Sequence, residues 1–295
     1  MLVYGIQSYN NEIIRLIIFT IITLYSGFFA ALIWNDITDV DIDAKAHPDR
    51  PIPSGRISSK KFFLIALVFS ALTFIFALLI SPICLAVVGF AALFVTFHDK
   101  FLKKKVKIPA YSEIFTPIQW IIVAIFGFFV IWTALPQSAD IVIDLSFLGK
   151  ISTNIHSIQQ LLILVIFTYF IDNAHDLAEG IVDVEGDKIS GVRTYATSFG
   201  EKNAAKISFI WFFISGIFGI LLFLITILSF VFLIPFLFVW AYIMINSYNL
   251  VKSKGEDMNK IGAHVGRRGY DFFLISYNLI FVDIVLQLIY YKIIV

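Results

Sequence analysis

Two segments of this chain concentrate carboxylates at spacings that can hold a divalent cation. The first runs Asn35-Asp36-Ile37-Thr38-Asp39-Val40-Asp41-Ile42-Asp43, followed by His47-Pro48-Asp49-Arg50-Pro51-Ile52-Pro53-Ser54-Gly55-Arg56. On a helix that continues past Trp34, Asp36, Asp39 and Asp43 stand at i, i+3 and i+7, which is one face. Three anions on one face repel one another, and a divalent cation is the natural compensation. Hard carboxylate oxygens favour Mg²⁺, which keeps several waters and takes few protein ligands beside substrate phosphate. The outline is that of a diphosphate site.

The second segment runs from Asp172 through His175, Asp176, Glu179, Asp183 and Glu185 to Asp187, and continues to Gly191, Arg193 and Thr194. On a continued helix Asp172, Asp176, Glu179, Asp183 and Asp187 form one stripe, at steps of four, three, four and four. Two such stripes facing each other would hold two or more Mg²⁺ ions against one diphosphate and neutralise the charge that grows on it as an allylic C–O bond breaks. A single acidic run at a helix end is ordinarily a solvated face. Here each run abuts an apolar span, and the two occupy matching places in the chain.

Basic residues in the same loops complete a clamp. Arg50, Arg56, Lys103 and Arg193 can donate to phosphoryl oxygens, whereas Lys104, Lys105 and Lys254 suit a membrane surface. His47, His98, His175 and His264 show no His-x-x-x-His or Cys pairing for zinc. Cys84, the single cysteine, sits in an apolar run and offers neither a disulfide nor a thiolate metal site.

The elements that must position these residues are membrane spans. Of 295 residues, 59% are hydrophobic and 15% charged, and the mean hydropathy of +0.90 lies outside the range of soluble domains. Eight apolar stretches stand out: Leu16–Trp34, Phe62–Ile80, Ile83–Phe97, Ile114–Leu135, Leu161–Ile171, Ile207–Leu228, Phe230–Ile245 and Phe272–Tyr291. Most approach the ~20 residues of a spanning helix; the third and fifth need flanking polar residues to complete one. The runs are apolar all round, so helices rather than an alternating barrel satisfy their backbone in lipid. The expected fold is an all-α, polytopic helical bundle, a single transmembrane domain over 1–295. The first run is followed by no small-residue cleavage site and reads as a retained span.

A net charge of +1 gives no sign of nucleic acid as a partner. With the N-terminus outside, loops 35–61, 98–111, 173–206 and 246–269 share one side and carry every Lys and Arg except Arg15, Lys150 and Lys292. The positive-inside rule makes that side cytoplasmic, in a multi-pass protein of the cell membrane. The opposite connection, about 136–158, reads as a structural loop or cap. Helices one and five each lead into an Asp-rich segment and helices three and seven each into a Lys-rich loop. The chain therefore reads as two four-helix halves, about 12–135 and 158–291. Asp283, with Asn278, lies inside the last span, where an ionisable residue usually marks function; it sits toward the wrong face for the diphosphate and has no matched role. The 32 Phe, 12 Tyr and 5 Trp can line a prenyl tunnel or steady an allylic cation, and equally can pack against lipid.

Asn-Asp-x-x-Asp-x-x-x-Asp from Asn35, Pro-Asp-Arg-Pro-x-Pro-Ser-Gly-Arg from Pro48, Asp-x-Glu-Gly-Asp-x-x-x-Gly-x-x-Thr from Asp183, and Phe199-Gly200-Glu201-Lys202 together resemble the UbiA superfamily of intramembrane prenyltransferases. The likeness covers about residues 20–290. It implies a helical bundle with a central cavity opening to the membrane, Mg²⁺, a polyprenyl diphosphate donor and a lipophilic acceptor. By that resemblance Asn35, Asp39 and Asp43 match the first metal motif, and Asp183 and Asp187 the second.

Three departures accompany it. The family usually has nine helices, one of them ahead of the first motif's helix; here only Met1–Glu12 precede it, so that helix is expected to be missing or lost from the gene model. The family often carries an acid three positions before Asp183, where this chain has Gly180, and Asp176 or Glu179 could substitute. A Tyr-x-x-x-Leu-Lys motif reads His98-Asp99-Lys100-Phe101-Leu102-Lys103, with Lys103 kept. The activity implied is prenyl transfer from a donor such as geranylgeranyl diphosphate to a quinone-precursor ring or geranylgeranylglyceryl phosphate. A terpene cyclase of the same type and an ion or anion transporter are the alternatives.

Overall fold

The computed structural model describes residues 11–38, 40, 44, 48–102, 105–134 and 141–294. Asp39, Asp43, Lys103, His47 and Lys104 lie outside them. Among the described residues seven helices are long and apolar enough to cross a membrane, and the shorter apolar helix Pro82–Phe97 makes an eighth candidate.

In chain order the elements are α1 (Asn11–Thr38), α2 (Ser59–Ile80), α3 (Pro82–Phe97), a π-helical turn (His98–Leu102), α4 (Tyr111–Phe115), α5 (Ile118–Ala134), β1 (Ile141–Asp144), β2 (Lys150–Thr153), α6 (Ile155–Val182), α7 (Val184–Ser190), α8 (Tyr195–Phe199), α9 (Glu201–Ile225), α10 (Phe230–Lys252) and α11 (Glu256–Ile294). Local chemistry sets the boundaries. Ser81 closes α2 and opens α3, its hydroxyl accepting from the Cys84 N–H at 3.1 Å, with Pro82 in the first turn where its missing N–H costs nothing. Asn154 caps α6 by accepting from the Ser157 N–H at 2.9 Å. Gly191, at φ +73°, ends α7 in the left-handed conformation glycine adopts without strain.

Two features depart from the apolar-run reading. The connection at 136–158 contains an antiparallel hairpin, Ile141 paired with Thr153 through Asp144 with Lys150, a small β addition to the helical bundle. The segment read as loop 246–269 is mostly helix, because α10 runs to Lys252 and α11 starts at Glu256. Hydropathy registers only the part of a helix that meets lipid. A 39-residue helix is ~58 Å long, about twice the hydrocarbon core, so the polar turns of α11 project beyond it.

α6 packs against α9 and α11, and α10 against both of those. Their shared core includes Phe167, Phe212, Phe232, Phe236 and Phe272, all fully buried. α1 packs on α2, and α3 on α2 and α5, around Leu16, Ala77, Cys84, Phe126 and Val130. α5 also lies against α6.

An apolar cavity of about 580 Å³ opens between α1, α5, α6 and α11, walled by Tyr25, Trp120, Gly127, Leu164, Phe273 and Tyr277 among others. All four helices carry polar residues at the same end of it. From Tyr25 to Asp36 on α1 is ~16 Å of helix, and from Leu164 to Asp176 on α6 ~18 Å. α5 and α11 run the other way, so it is the chain just before α5, at Glu113, and the early turns of α11, at Gly262–Gly269, that reach this end.

Candidate active site

Asn35 and Asp36 occupy the last turns of α1 and are half-buried. Asp36 Oδ1 lies 3.5 Å from Arg50 Nη1. Arg50 stands at the head of a tight turn: its carbonyl accepts from the Ser54 N–H at 3.0 Å and the Ser54 hydroxyl at 2.6 Å, and Gly55 completes the turn at φ +74°. Arg56 folds back onto the same turn, donating to Ser54 Oγ at 3.1 Å and to the Asp49 carbonyl. The Pro-Asp-Arg-Pro stretch thus turns Arg50 toward the carboxylate of α1, while Arg56 steadies the turn.

On α6 the carboxylates gather around a histidine. His175 is buried; its Nε2 is 3.3 Å from Asp172 Oδ1, and its Nδ1 is 3.4 Å from Asp176 Oδ1 and 3.9 Å from Glu179 Oε1. Ligand atoms of His175, Asp176 and Glu179 come within 4.8 Å of one another, the one such group among the described residues. Asp172 Oδ2 is buried with no hydrogen-bond partner among them.

The helix breaks at Asp183. α6 ends at Val182 and α7 begins at Val184, although the Asp187 N–H still bonds to the Asp183 carbonyl at 2.8 Å. The stripe from Asp172 to Asp187 is therefore carried on two helices, with Asp183 exposed at the joint and Asp187 half-buried. Arg193 follows with an exposed side chain, its carbonyl accepting from the Ser112 N–H at 3.1 Å.

α11 approaches this stretch on a row of glycines. A Cβ on Gly266 would stand 2.3 Å from Glu179 Cγ, one on Gly269 2.6 Å from His175 Cβ, and one on Gly262 3.2 Å from the Ala178 carbonyl. Close helix contact through small residues is how membrane helices pack where the hydrophobic effect gives no drive. The Tyr270 ring meets His175 edge-on at 5.3 Å. His175 was legible only as a single histidine; its spacing of three from Asp172 and four from Glu179 is the signal that places it in the cluster. The spacing Gly262-x-x-x-Gly266 is the corresponding signal for α11.

Two further residues join this end: His98, which stands at the tyrosine place of the Tyr-x-x-x-Leu-Lys motif, and Glu113, which no motif marks. His98, at the end of α3, stacks on Tyr111 at 5.5 Å with ring planes 11° apart. Glu113, in α4, is buried, and its Oε1 accepts from the Tyr195 N–H at 2.6 Å.

Asp283, by contrast, is structural. It is fully buried, and its oxygens accept from the Ser229 N–H at 2.6 Å, the Ser229 hydroxyl at 2.8 Å and Gln287 Nε2 at 2.9 Å. It caps the start of α10.

A polytopic bundle whose cavity-lining helices bring carboxylates, arginines and a histidine to one end of an apolar chamber is an intramembrane protein with a polar site at the head of an apolar cavity. The chain belongs to the UbiA prenyltransferase family, whose sequence profile matches residues 1–263, and it is a multi-pass membrane protein. It is 28% identical over 190 residues to a digeranylgeranylglyceryl phosphate synthase of Sulfolobus acidocaldarius, a match covering 64% of this chain and 57% of that relative. The chain thus spans under two thirds of that relative's length. In structure it resembles a UbiA homolog from Aeropyrum pernix in its apo form, with a TM-score of 0.67 at 15% identity over 91% of this chain and 90% of the other. It also resembles a UbiA homolog from Archaeoglobus fulgidus bound to GPP and Mg²⁺, with a TM-score of 0.55 at 14% identity over 90% and 88%. At those identities the likeness shows a shared fold.

Proposed function

We propose that this protein is a Mg²⁺-dependent intramembrane prenyltransferase, moving a polyprenyl group from an allylic diphosphate such as geranylgeranyl diphosphate to a lipophilic acceptor. The observation that carries the reading is the shared polarity of the four cavity-lining helices, which sets the Asp36–Arg50 pair and the His175–Asp176–Glu179 cluster at one end of an apolar chamber. A prenyl diphosphate has that same division into anionic head and apolar tail.

The donor set fits Mg²⁺. Carboxylates of Asp176, Glu179, Asp183 and Asp187, with Asn35, Asp39 and Asp43 from the first motif, are hard oxygen ligands, and Asp172 adds a buried oxygen in need of a partner. Bound there, the ion would neutralise charge developing on the leaving diphosphate. Arg50, Arg56, Lys103 and Arg193 are the candidate diphosphate contacts; Arg50, already aimed at Asp36, is the best placed of the described three. The allylic C–O bond breaks with its electron pair going to the diphosphate. The acceptor oxygen or carbon then bonds to the prenyl carbon, and its proton passes to Asp36, Asp39, Asp43, Asp183, Asp187 or the diphosphate. The apolar chamber excludes the water that would otherwise capture the cation.

Geranylgeranylglyceryl phosphate is the acceptor we favour, supported by the digeranylgeranylglyceryl phosphate synthases among the relatives. The distribution of Lys and Arg supports a cytoplasmic placement of the acidic end, and the matching positions of the two acidic segments support an organisation in two halves. A transporter is less well supported, because its site usually lies near the bilayer midplane and these carboxylates lie at helix ends.

The test is diphosphate release from geranylgeranyl diphosphate by purified protein with and without Mg²⁺, beside Asp39→Ala and Asp187→Ala, over a panel of acceptors. Release that needs the ion and both aspartates, with prenylated acceptor as product, is the expected result. Prenyl products formed without any acceptor would indicate a cyclase. Folded protein that releases nothing from any donor and acceptor would overturn the assignment.

A further inference from the structure

The acidic stripe of α6 has a gap that another part of the chain fills. Counting along one line of the helix, Asp172 and Asp176 are followed at the next step of four by Gly180, which has no side chain. Gly180 is buried, and a Cβ placed on it would stand 3.8 Å from Glu113 Oε1 and 3.8 Å from Thr194 Cβ. The space beside the stripe is thus occupied by a carboxylate from α4.

Glu113 is held there firmly. It is only 3% exposed. Its Oε1 accepts the Tyr195 N–H at 2.6 Å, and the neighbouring backbone is tied to the same loop by Ser112 N–H to the Arg193 carbonyl and Ala110 N–H to Ser198 Oγ, each 3.1 Å. Its other oxygen, Oε2, is buried and has no hydrogen-bond partner among the described residues. One hydrogen bond would satisfy a glutamine equally well. A carboxylate buried with half its lone pairs unmet is costly unless a positive partner compensates it. The neighbours that interact with it electrostatically include Asp187 and Asp176, carboxyl groups like itself. A cation is therefore the partner this arrangement calls for.

We propose that Glu113 supplies the carboxylate that the α6 stripe lacks at Gly180, as a ligand of the divalent cation bound with the diphosphate. This rests on the prenyltransferase reading and names a residue of its metal site outside both acidic motifs. The same side chain, through Tyr195, would couple ion binding to the Arg193 loop.

The test uses Mn²⁺ as a paramagnetic stand-in, titrated by EPR into the detergent-purified full chain with geranylgeranyl thiolodiphosphate, a slowly cleaved donor analogue. Glu113→Gln keeps an acceptor for the Tyr195 N–H and removes only the charge. It is expected to weaken Mn²⁺ binding about tenfold, with an unchanged thermal midpoint. Glu113→Ala with Gly180→Asp moves the carboxylate onto α6, and is expected to recover most of the affinity that Glu113→Ala alone loses. Tight Mn²⁺ binding by Glu113→Gln, equal to the parent protein, would overturn the proposal and leave the prenyltransferase reading standing. So would a double variant that folds and recovers nothing, which would assign Glu113 to the loop alone. A parent protein that binds no Mn²⁺ with the analogue would overturn both.

Discussion

At the scale of single residues, ionisable groups inside the spans divide by what meets their oxygens. Asp283 has three donors on its two oxygens. Hydrogen bonds to a charged group contribute about 1.5–3 kcal/mol each, and removing the acceptor leaves buried donors unmet. Asp283→Ala is therefore expected to destabilise the protein by about 2–3 kcal/mol, seen as a lower thermal midpoint in detergent, while the Mg²⁺ dependence of the surviving activity stays the same. Asp176→Asn is expected to do the reverse, shifting the Mg²⁺ dependence at least tenfold with little loss of stability, because its carboxylate faces His175 and Glu179 rather than a set of donors. The sequence let the acidic stripe be read, since spacing along one helix is local. It did not reveal Glu113, whose partner Tyr195 is 82 residues away, and it did not tell Asp283 from a functional acid, because Ser229 reaches it only when α10 and α11 pack.

At the scale of elements, glycines decide how close helices come, and where they sit decides what that closeness serves. Gly266 and Gly269 press α11 against Glu179 and His175, whereas Gly219 admits the Phe236 ring, a Cβ there falling 2.1 Å from Cζ. Overpacking by a methyl group costs about 1–3 kcal/mol at either kind of place. Gly219→Ala is expected to lower the thermal midpoint alone. Gly269→Ala is expected to lower it and to weaken Mn²⁺ binding as well, since the added methyl displaces His175, and equal metal binding by the two variants would count against the role given to α11. The helices themselves were readable from their apolar runs. The ends of α10 and α11 were not: backbone hydrogen bonding continues through polar turns that hydropathy ignores, and the early turns of α11 reach the candidate site.

At the scale of the whole molecule, the chamber belongs to no single segment. Its wall combines Tyr25, Trp120, Leu164 and Phe273 from four helices, so neither its volume nor its shape could be read from the chain. One position gives direct access to it. Gly127 lines the chamber, and a Cβ placed there meets nothing within 4 Å, so a larger side chain can enter the cavity without moving the wall. With the diphosphate anchored at the acidic end, the far part of the prenyl chain has to share this space with whatever residue 127 carries. Discrimination in apolar pockets runs at about 1–3 kcal/mol per methylene that fits or fails to fit. Gly127→Phe is accordingly expected to lower kcat/KM for geranylgeranyl diphosphate by about ten- to a hundredfold while leaving dimethylallyl and geranyl diphosphate nearly unaffected. Its Mn²⁺ binding is expected to match that of the parent protein, because Gly127 stands ~13 Å along α5 from Ile118, beyond which Glu113 and the acidic end lie. A uniform loss over all three donors would mean that the chain does not run through this chamber, and an unchanged preference would mean that the chamber ends before residue 127.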